Sequence, residues 1–205
     1  MARVRSLLVE FSHRFEAYPP AFAVLRLWRP SDLTTRQNIC HWHMQLADPL
    51  YRAFTGVFLA QRRQQPNPII DKDIVARWVT GQFATSWSSA TTLRMATGLI
   101  GASAAAGLCT ENSGARNLKF PKVTDEALAY WVLFSAPILS FSRSILDNPY
   151  FNSVGLDDTF LEQRLRRLPG IAFNRMGELY DFGWHYPDLK TWAIQTLGIK
   201  WEDEA

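Results

Sequence analysis

The heptapeptide SSATTLR sets four hydroxyls and one cation, those of Ser88, Ser89, Thr91, Thr92 and Arg94, within seven residues. The segment RNLKFPKV, which begins at residue 116, then brings Arg116, Lys119 and Lys122. Hydroxyls in the first turn of a helix stand beside backbone N–H groups that lack a helical acceptor, at the positive end of the helix dipole. Such a turn favours phosphate oxygens. An arginine one turn further in reaches a base edge or a phosphate, and lysines on a flanking strand neutralise neighbouring phosphates. These eight residues are the candidate nucleic-acid-binding set.

For that chemistry the hydroxyl cluster must open a helix, and a second helix must brace it, because the major groove of B-DNA admits a single helix. The sequence predicts both. IIDKDIVARWVTGQF places Ile74, Val75, Trp78 and Val79 at helical spacing, with Asp71 or Asp73 near its start. Ser86, Ser88 or Ser89 then caps a helix through ATTLRMATGLIGASAAAGLC. Its apolar stripe is Leu93, Ala96, Ile100 and Ala104, and Gly107 stands where a left-handed residue would end it. Asn112 to Gly114 reads as a turn, and RNLKFPKV alternates Leu118 and Phe120 with Asn117, Lys119 and Lys122. Helix, capped helix, short strand, turn and basic strand is the order of a winged helix-turn-helix. Winged helices also dock proteins, and Ser and Thr are common helix caps, so the pattern leaves DNA and protein both open as partners.

The rest of the chain predicts a mainly α protein. RVRSLLVEFSHRFEAY has Leu7, Leu8, Phe11 and Phe15 on one stripe and is ended by Tyr18-Pro19-Pro20. AFAVLRLWR reads as a second helix stopped by Pro30. LTTRQNICHWHMQLA reads as a third, capped by Ser31 or Asp32, and LYRAFTGVFLAQRRQQ as a fourth that starts after Asp48-Pro49. A polar linker, QQPNP, follows. The expected organisation is a helical N-terminal unit over 1–66, a winged-helix domain with a short β-hairpin wing over 67–146, and a helical, aromatic C-terminal region over 147–205. That last region opens with an Asn-Pro turn and continues in a helix from Asp158 to Leu168. Aromatics at Trp184, Tyr186 and Trp192 follow, and a final helix, LKTWAIQTL, begins behind Asp188. Arg164, Arg166 and Arg167 sit beside Asp157, Asp158 and Glu162, an arrangement that favours surface ion pairs over phosphate contacts.

Net charge is +3, but residues 1–122 hold 15 Lys and Arg against 7 Asp and Glu, whereas residues 123–205 hold 7 against 12. A basic stretch of that size suits a polyanion and an acidic one suits a basic protein surface; the same asymmetry also arises from solvated faces alone. With 47% hydrophobic residues and eight Trp, the chain buries enough surface to fold. The run ALAYWVLFSAPILSF from Ala127 to Phe141 is shorter than the roughly 20 residues of a spanning helix, is flanked by charges and contains Pro137, so it predicts a core helix and no membrane partner. MARVRSLLVEF has no signal-peptide pattern, and Cys40 and Cys109 follow no metal or redox spacing, which suits a reduced, cytoplasmic protein.

Catalytic patterns are thin. His41 and His43 of HWH point to different sides of a helix, and His13 and His185 stand alone. Asp147, Asp157, Asp158 and Asp181 have the spacing of turns and caps, though they leave a metal-dependent nuclease as a third reading. No phosphate-loop, nucleophile-elbow, zinc-protease or dinucleotide motif occurs. No catalytic residue, metal or cofactor is expected.

The DPLYR helix start, the Thr91-x-x-Arg94 core and the NPYFNSVGL turn before an Arg-rich helix together resemble the BrxA-like family of small helical proteins from bacterial phage-exclusion (BREX) systems. The resemblance spans about residues 30–190. It implies a cytoplasmic, non-enzymatic component that binds double-stranded DNA beside a methyltransferase, an ATPase and a phosphatase-like protein in antiviral defence. The rival expectation is a scaffold subunit whose winged helix docks other proteins.

Overall fold

The computed structural model describes residues 18–28, 32–83, 87–139, 148–177 and 179–201. Residues 3–17 of the helix expected over 3–18, and the caps expected at Ser31 and Ser86, lie outside them. The chain groups into two compact units assembled from separated stretches: residues 1–47, 123–146 and 158–205 form one, and residues 48–122 and 147–157 form the other. The boundary expected after residue 66 therefore falls inside the second unit, which also takes in the start of the expected C-terminal region.

In the first unit, α1 (Pro19–Leu27) begins on the prolines that were expected to end the preceding helix. Proline at a first helical position loses no hydrogen bond and has the right φ, so Pro19-Pro20 starts a helix as readily as it stops one. Helix α2 (Leu33–Ala47) is capped by Asp32, whose Oδ2 accepts from the Thr35 N–H at 2.8 Å. Helix α7 (Asp125–Leu139) is apolar on every side and is buried from Ala127 to Val132, as expected of a central core helix. Its start is tied to α2: the Thr124 N–H donates to Asn38 Oδ1 at 3.1 Å, and the Thr124 and Thr35 hydroxyls lie 2.9 Å apart. Trp42 of α2 stacks on Trp131 of α7 at 5.5 Å, and Trp28 and Trp192 meet edge to face at 5.9 Å.

This unit departs from the expected all-helical C-terminal region. Helix α9 (Asp158–Leu165) is followed by an antiparallel hairpin, β3 (Ile171–Met176) with β4 (Leu179–Trp184), and then by α10 (Leu189–Leu197), capped by Asp188. Gly177, at φ +65°, opens the two-residue connection, a position that glycine occupies at little cost. The cross-strand pair Phe173–Phe182, at 4.9 Å, anchors the register.

The second unit starts with α3 (Pro49–Ala53), whose cap Asp48 accepts from the N–H groups of Leu50 and Tyr51 at 2.9 and 3.1 Å. The helix widens into a π-helical turn over Phe54–Phe58 and resumes as α4 (Leu59–Arg63). The widened turn lies against α8 (Pro149–Asn152), and only glycine fits there: a Cβ on Gly56 would stand 2.5 Å from Pro149 Cβ. Then come β1 (Ile69–Ile70), α5 (Lys72–Phe83), α6 (Ser89–Ala105) and β2 (Arg116–Asn117). Val75 and Val79 of α5 and Ala96, Leu99 and Ile100 of α6 are among the buried positions of two helices that pack on each other.

Gly107, at φ +74°, ends α6 as expected, with the Leu108 N–H donating to Ser103 O and the Gly107 N–H to Ala104 O. The chain returns antiparallel: Cys109 bridges Leu118, the Thr110 N–H donates to Asn117 O at 3.0 Å, and β2 pairs with β1 through Ile69–Asn117 and Ile70–Arg116. Among the described residues the protein is thus mainly helical, with two small antiparallel sheets.

Candidate nucleic-acid interface

Ser88 caps α6: its Oγ accepts from the Thr91 N–H at 3.3 Å and lies 3.1 Å from the Thr91 hydroxyl. Ser88 and Ser89 are exposed and Thr91 is half-buried, so three of the four expected hydroxyls stand at the surface of one helix start. Thr92 does not join them. It is only 9% exposed, because the helical period places it on the stripe of Ala96, Leu99 and Ser103 that faces inward.

Arg94 is exposed and makes no hydrogen bond or ion pair among the described residues. The outer face of α6 around it consists of Ala90, Thr97, Gly98, Gly101 and Ala105, all exposed, and the Cβ positions of both glycines meet nothing within 4 Å. This face is smooth. Apart from Arg94, it offers only the Thr97 side chain as a polar group, and that hydroxyl is turned to Leu93 O at 2.8 Å. A helix of this kind approaches a surface closely and carries few groups that read base edges.

The hairpin after α6 distributes charge differently from the expected basic wing. Its turn, 111–115, carries Glu111 and no cation, and Asn112 closes it by donating from Nδ2 to Ala115 O at 2.8 Å. Arg116 is half-buried and folds back along the hairpin, donating from Nη1 to Thr110 O at 3.3 Å. It braces the turn. Lys119 and Lys122, further along, are exposed. Of the eight candidate residues, Ser88, Ser89, Thr91, Arg94, Lys119 and Lys122 therefore remain at the surface, whereas Thr92 and Arg116 are drawn into the structure.

A residue outside that set holds the segment carrying the lysines. Arg63, at the end of α4, donates from Nη2 to Lys119 O at 3.0 Å and from Nη1 to Ser153 O at 3.1 Å, and its guanidinium lies 4.4 Å over the Phe120 ring. Burial pushes its pKa down to about 10, which leaves it charged at neutral pH. The only sequence signal for this role was the Arg62-Arg63 pair in the last turn of a helix. Arg62 is engaged too, donating from Nε to Ile69 O at 2.9 Å.

The Arg-rich helix behaves as expected. Arg164 donates from Nε to Asp125 Oδ1 at 2.9 Å, and Arg166 pairs with Glu162 at 2.8 Å, which Arg175 also reaches at 3.2 Å. The Arg164 partner is the first residue of α7, remote in sequence from the Asp157 and Asp158 expected beside it. His43 is buried, with Nε2 2.7 Å from the Tyr130 hydroxyl, and burial lowers its pKa to about 4. Its ring is part of the aromatic core. Among the described residues no three of His, Cys, Asp and Glu gather into a metal-binding group, and no helix is long and apolar enough to cross a membrane.

No protein-family model, curated protein or solved structure matches this chain.

Proposed function

We propose that the chain is a non-enzymatic protein that binds double-stranded DNA, with the segment from β1 to residue 122 acting as a winged helix-turn-helix that holds the duplex chiefly by its phosphates. The observation that carries this reading is the start of α6: Ser88, Ser89 and Thr91 surround an exposed helix N-terminus, and Arg94, one turn in, has no protein partner among the described residues. A helix start of this kind attracts phosphate, and an unpaired arginine beside it adds a charge-assisted donor. Lys119 and Lys122 follow on the return of the hairpin and add charge to a backbone that Arg63 holds. The smooth face of α6 argues for contact with backbone and groove shape over base reading.

The cellular setting we propose is a phage-exclusion system in the cytoplasm, with a methyltransferase, an ATPase and a phosphatase-like protein as partners. It rests on the sequence resemblance of DPLYR, Thr91-x-x-Arg94 and NPYFNSVGL. A second reading, a scaffold that docks protein, is favoured by one observation: Leu93, 37% exposed, adjoins the small-residue face of α6, which a partner helix could approach as closely as DNA does.

The two readings separate in one comparison. Under the DNA reading, Arg94→Gln and the double change Lys119→Gln with Lys122→Gln weaken binding to any duplex, while Arg164→Gln with Arg166→Gln does not. Loss of binding only in the α9 double variant would move the DNA face away from α6.

A further inference from the structure

Between α5 and the start of α6 lies a cleft of about 560 Å³, within the size range of small-molecule sites. Val79, Ala76, Trp87 and Leu93 supply its apolar surface, and Asp73, Arg77, Thr80, Ser89 and Thr92 its polar side chains. Three observations give it the character of a site. Thr92 is buried to nine-tenths and lines the cleft, and its hydroxyl has no hydrogen-bond partner among the described residues. Other threonines of these two helices, Thr80 and Thr97, turn their hydroxyls to a carbonyl one turn back, at 3.0 and 2.8 Å. The Thr92 hydroxyl makes no such bond and stays reachable from the cleft that its residue lines, where a ligand can take it as a partner.

The second observation is the pair Asp73 and Arg77. They stand one turn apart on α5 and face the same cleft, yet neither forms an ion pair among the described residues. The third is that α6, 17 residues long, opens here. Its first-turn N–H groups at Ser89 and Ala90 lie before the first helical hydrogen bond, since Ser88 serves those of Thr91 and Thr92.

We infer that this cleft binds a small organic acid with an apolar body and a hydrogen-bond donor next to its carboxylate, the shared chemistry of 2-amino and 2-hydroxy acids. The carboxylate pairs with Arg77 and the α6 N-terminus and takes the Thr92 hydroxyl as a donor. The neighbouring ammonium or hydroxyl donates to Asp73, and the side chain packs on Trp87, Val79 and Leu93. A simple anion leaves Asp73 opposed by like charge, and a purely apolar ligand leaves Arg77, Asp73 and Thr92 unserved. The inference shares the α6 N-terminus and Ser89 with the DNA reading, but uses none of its cations, Arg94, Lys119 and Lys122.

Isothermal titration of the full chain with L-phenylalanine, L-phenyllactate and phenylacetate tests it, with Trp87 emission as a second readout. The expected result is saturable binding of phenylalanine, phenyllactate or both, with phenylacetate weaker by about tenfold for want of the donor. The stronger of the first two identifies the natural headgroup. Arg77→Gln abolishes binding of all three, Thr92→Val weakens it while circular dichroism stays unchanged, and Asp73→Asn removes the preference over phenylacetate. Arg94→Gln leaves binding intact, which separates this site from the DNA face. Absence of saturable binding by phenylalanine and phenyllactate, equal binding of all three acids, or binding that survives Arg77→Gln overturns the inference.

Discussion

Acid should weaken the first unit through the buried imidazole of His43. In the folded protein His43 is neutral, with its pKa lowered to about 4 by burial, whereas in the unfolded chain it titrates near the ordinary 6.5. The unfolded state therefore binds the proton first, and stability falls as pH drops through 6.5 until the folded pKa is reached. A tenfold difference in proton affinity between the two states corresponds to about 1.4 kcal/mol, so the full loss approaches about 3 kcal/mol, of which about 2 kcal/mol has gone by about pH 5. That is a large fraction of the ~5–15 kcal/mol that holds a typical domain.

Urea unfolding followed by circular dichroism at about pH 7, 6 and 5 reads the effect; with a slope of about 2 kcal/mol per molar urea, the midpoint should fall by about 1 M. In His43→Gln, where that side chain never charges, the curve should be lower at neutral pH and should lose the His43 share of the slope over the same window. The carboxylates held low in the fold, Glu162 by the Arg166 guanidinium and Asp188 by the Thr191 N–H, lose their contribution from the ordinary carboxylate pKa downward, beneath this window. An equal pH slope in His43→Gln and the parent protein refutes the reasoning.

Gly56→Ala should destabilise the second unit by about 1–3 kcal/mol in chemical denaturation, because the new methyl meets Pro149 Cβ at 2.5 Å and its carbonyl oxygen at 2.6 Å; an unchanged midpoint would mean that α8 moves aside freely. Plasmid DNA incubated with the protein and magnesium or manganese should remain intact, and metal-dependent nicking that disappears in Asp157→Ala would establish a nuclease instead.

Much of this architecture was legible in the sequence, for reasons that differ by element. Helices α2, α5 and α6 carry caps that act within three residues, Asp32, Asp71 and Ser88, and an end such as Gly107 follows from local geometry alone. The hairpin β3–β4 was missed although its signal was present: the two-residue connection begins with Gly177, between segments in which Ile171 and Phe173 alternate as buried positions.

The π-helical turn at Phe54–Phe58 packs on Pro149, nearly a hundred residues away in sequence, a contact that no local pattern announces. The same holds for the interleaving of the two units and for the Arg164–Asp125 pair. At the candidate interface the hydroxyls and cations were all visible, but their directions were not. Thr92 turned inward by helical phase, which its four-residue spacing from Ala96 on the apolar stripe would have shown, whereas the fold-back of Arg116 onto Thr110 required the hairpin itself.

The salt dependence of binding to a generic duplex tests the central proposal most directly. The logarithm of the affinity should fall linearly with the logarithm of salt concentration, with a slope of about −0.9 for each phosphate neutralised. Arg94, Lys119 and Lys122, with one or two further surface cations, give about −3 to −5, and Lys119→Gln and Lys122→Gln should each flatten the slope by about one unit. Absence of duplex binding at about 50 mM salt, or a slope that neither lysine alters, contradicts the account.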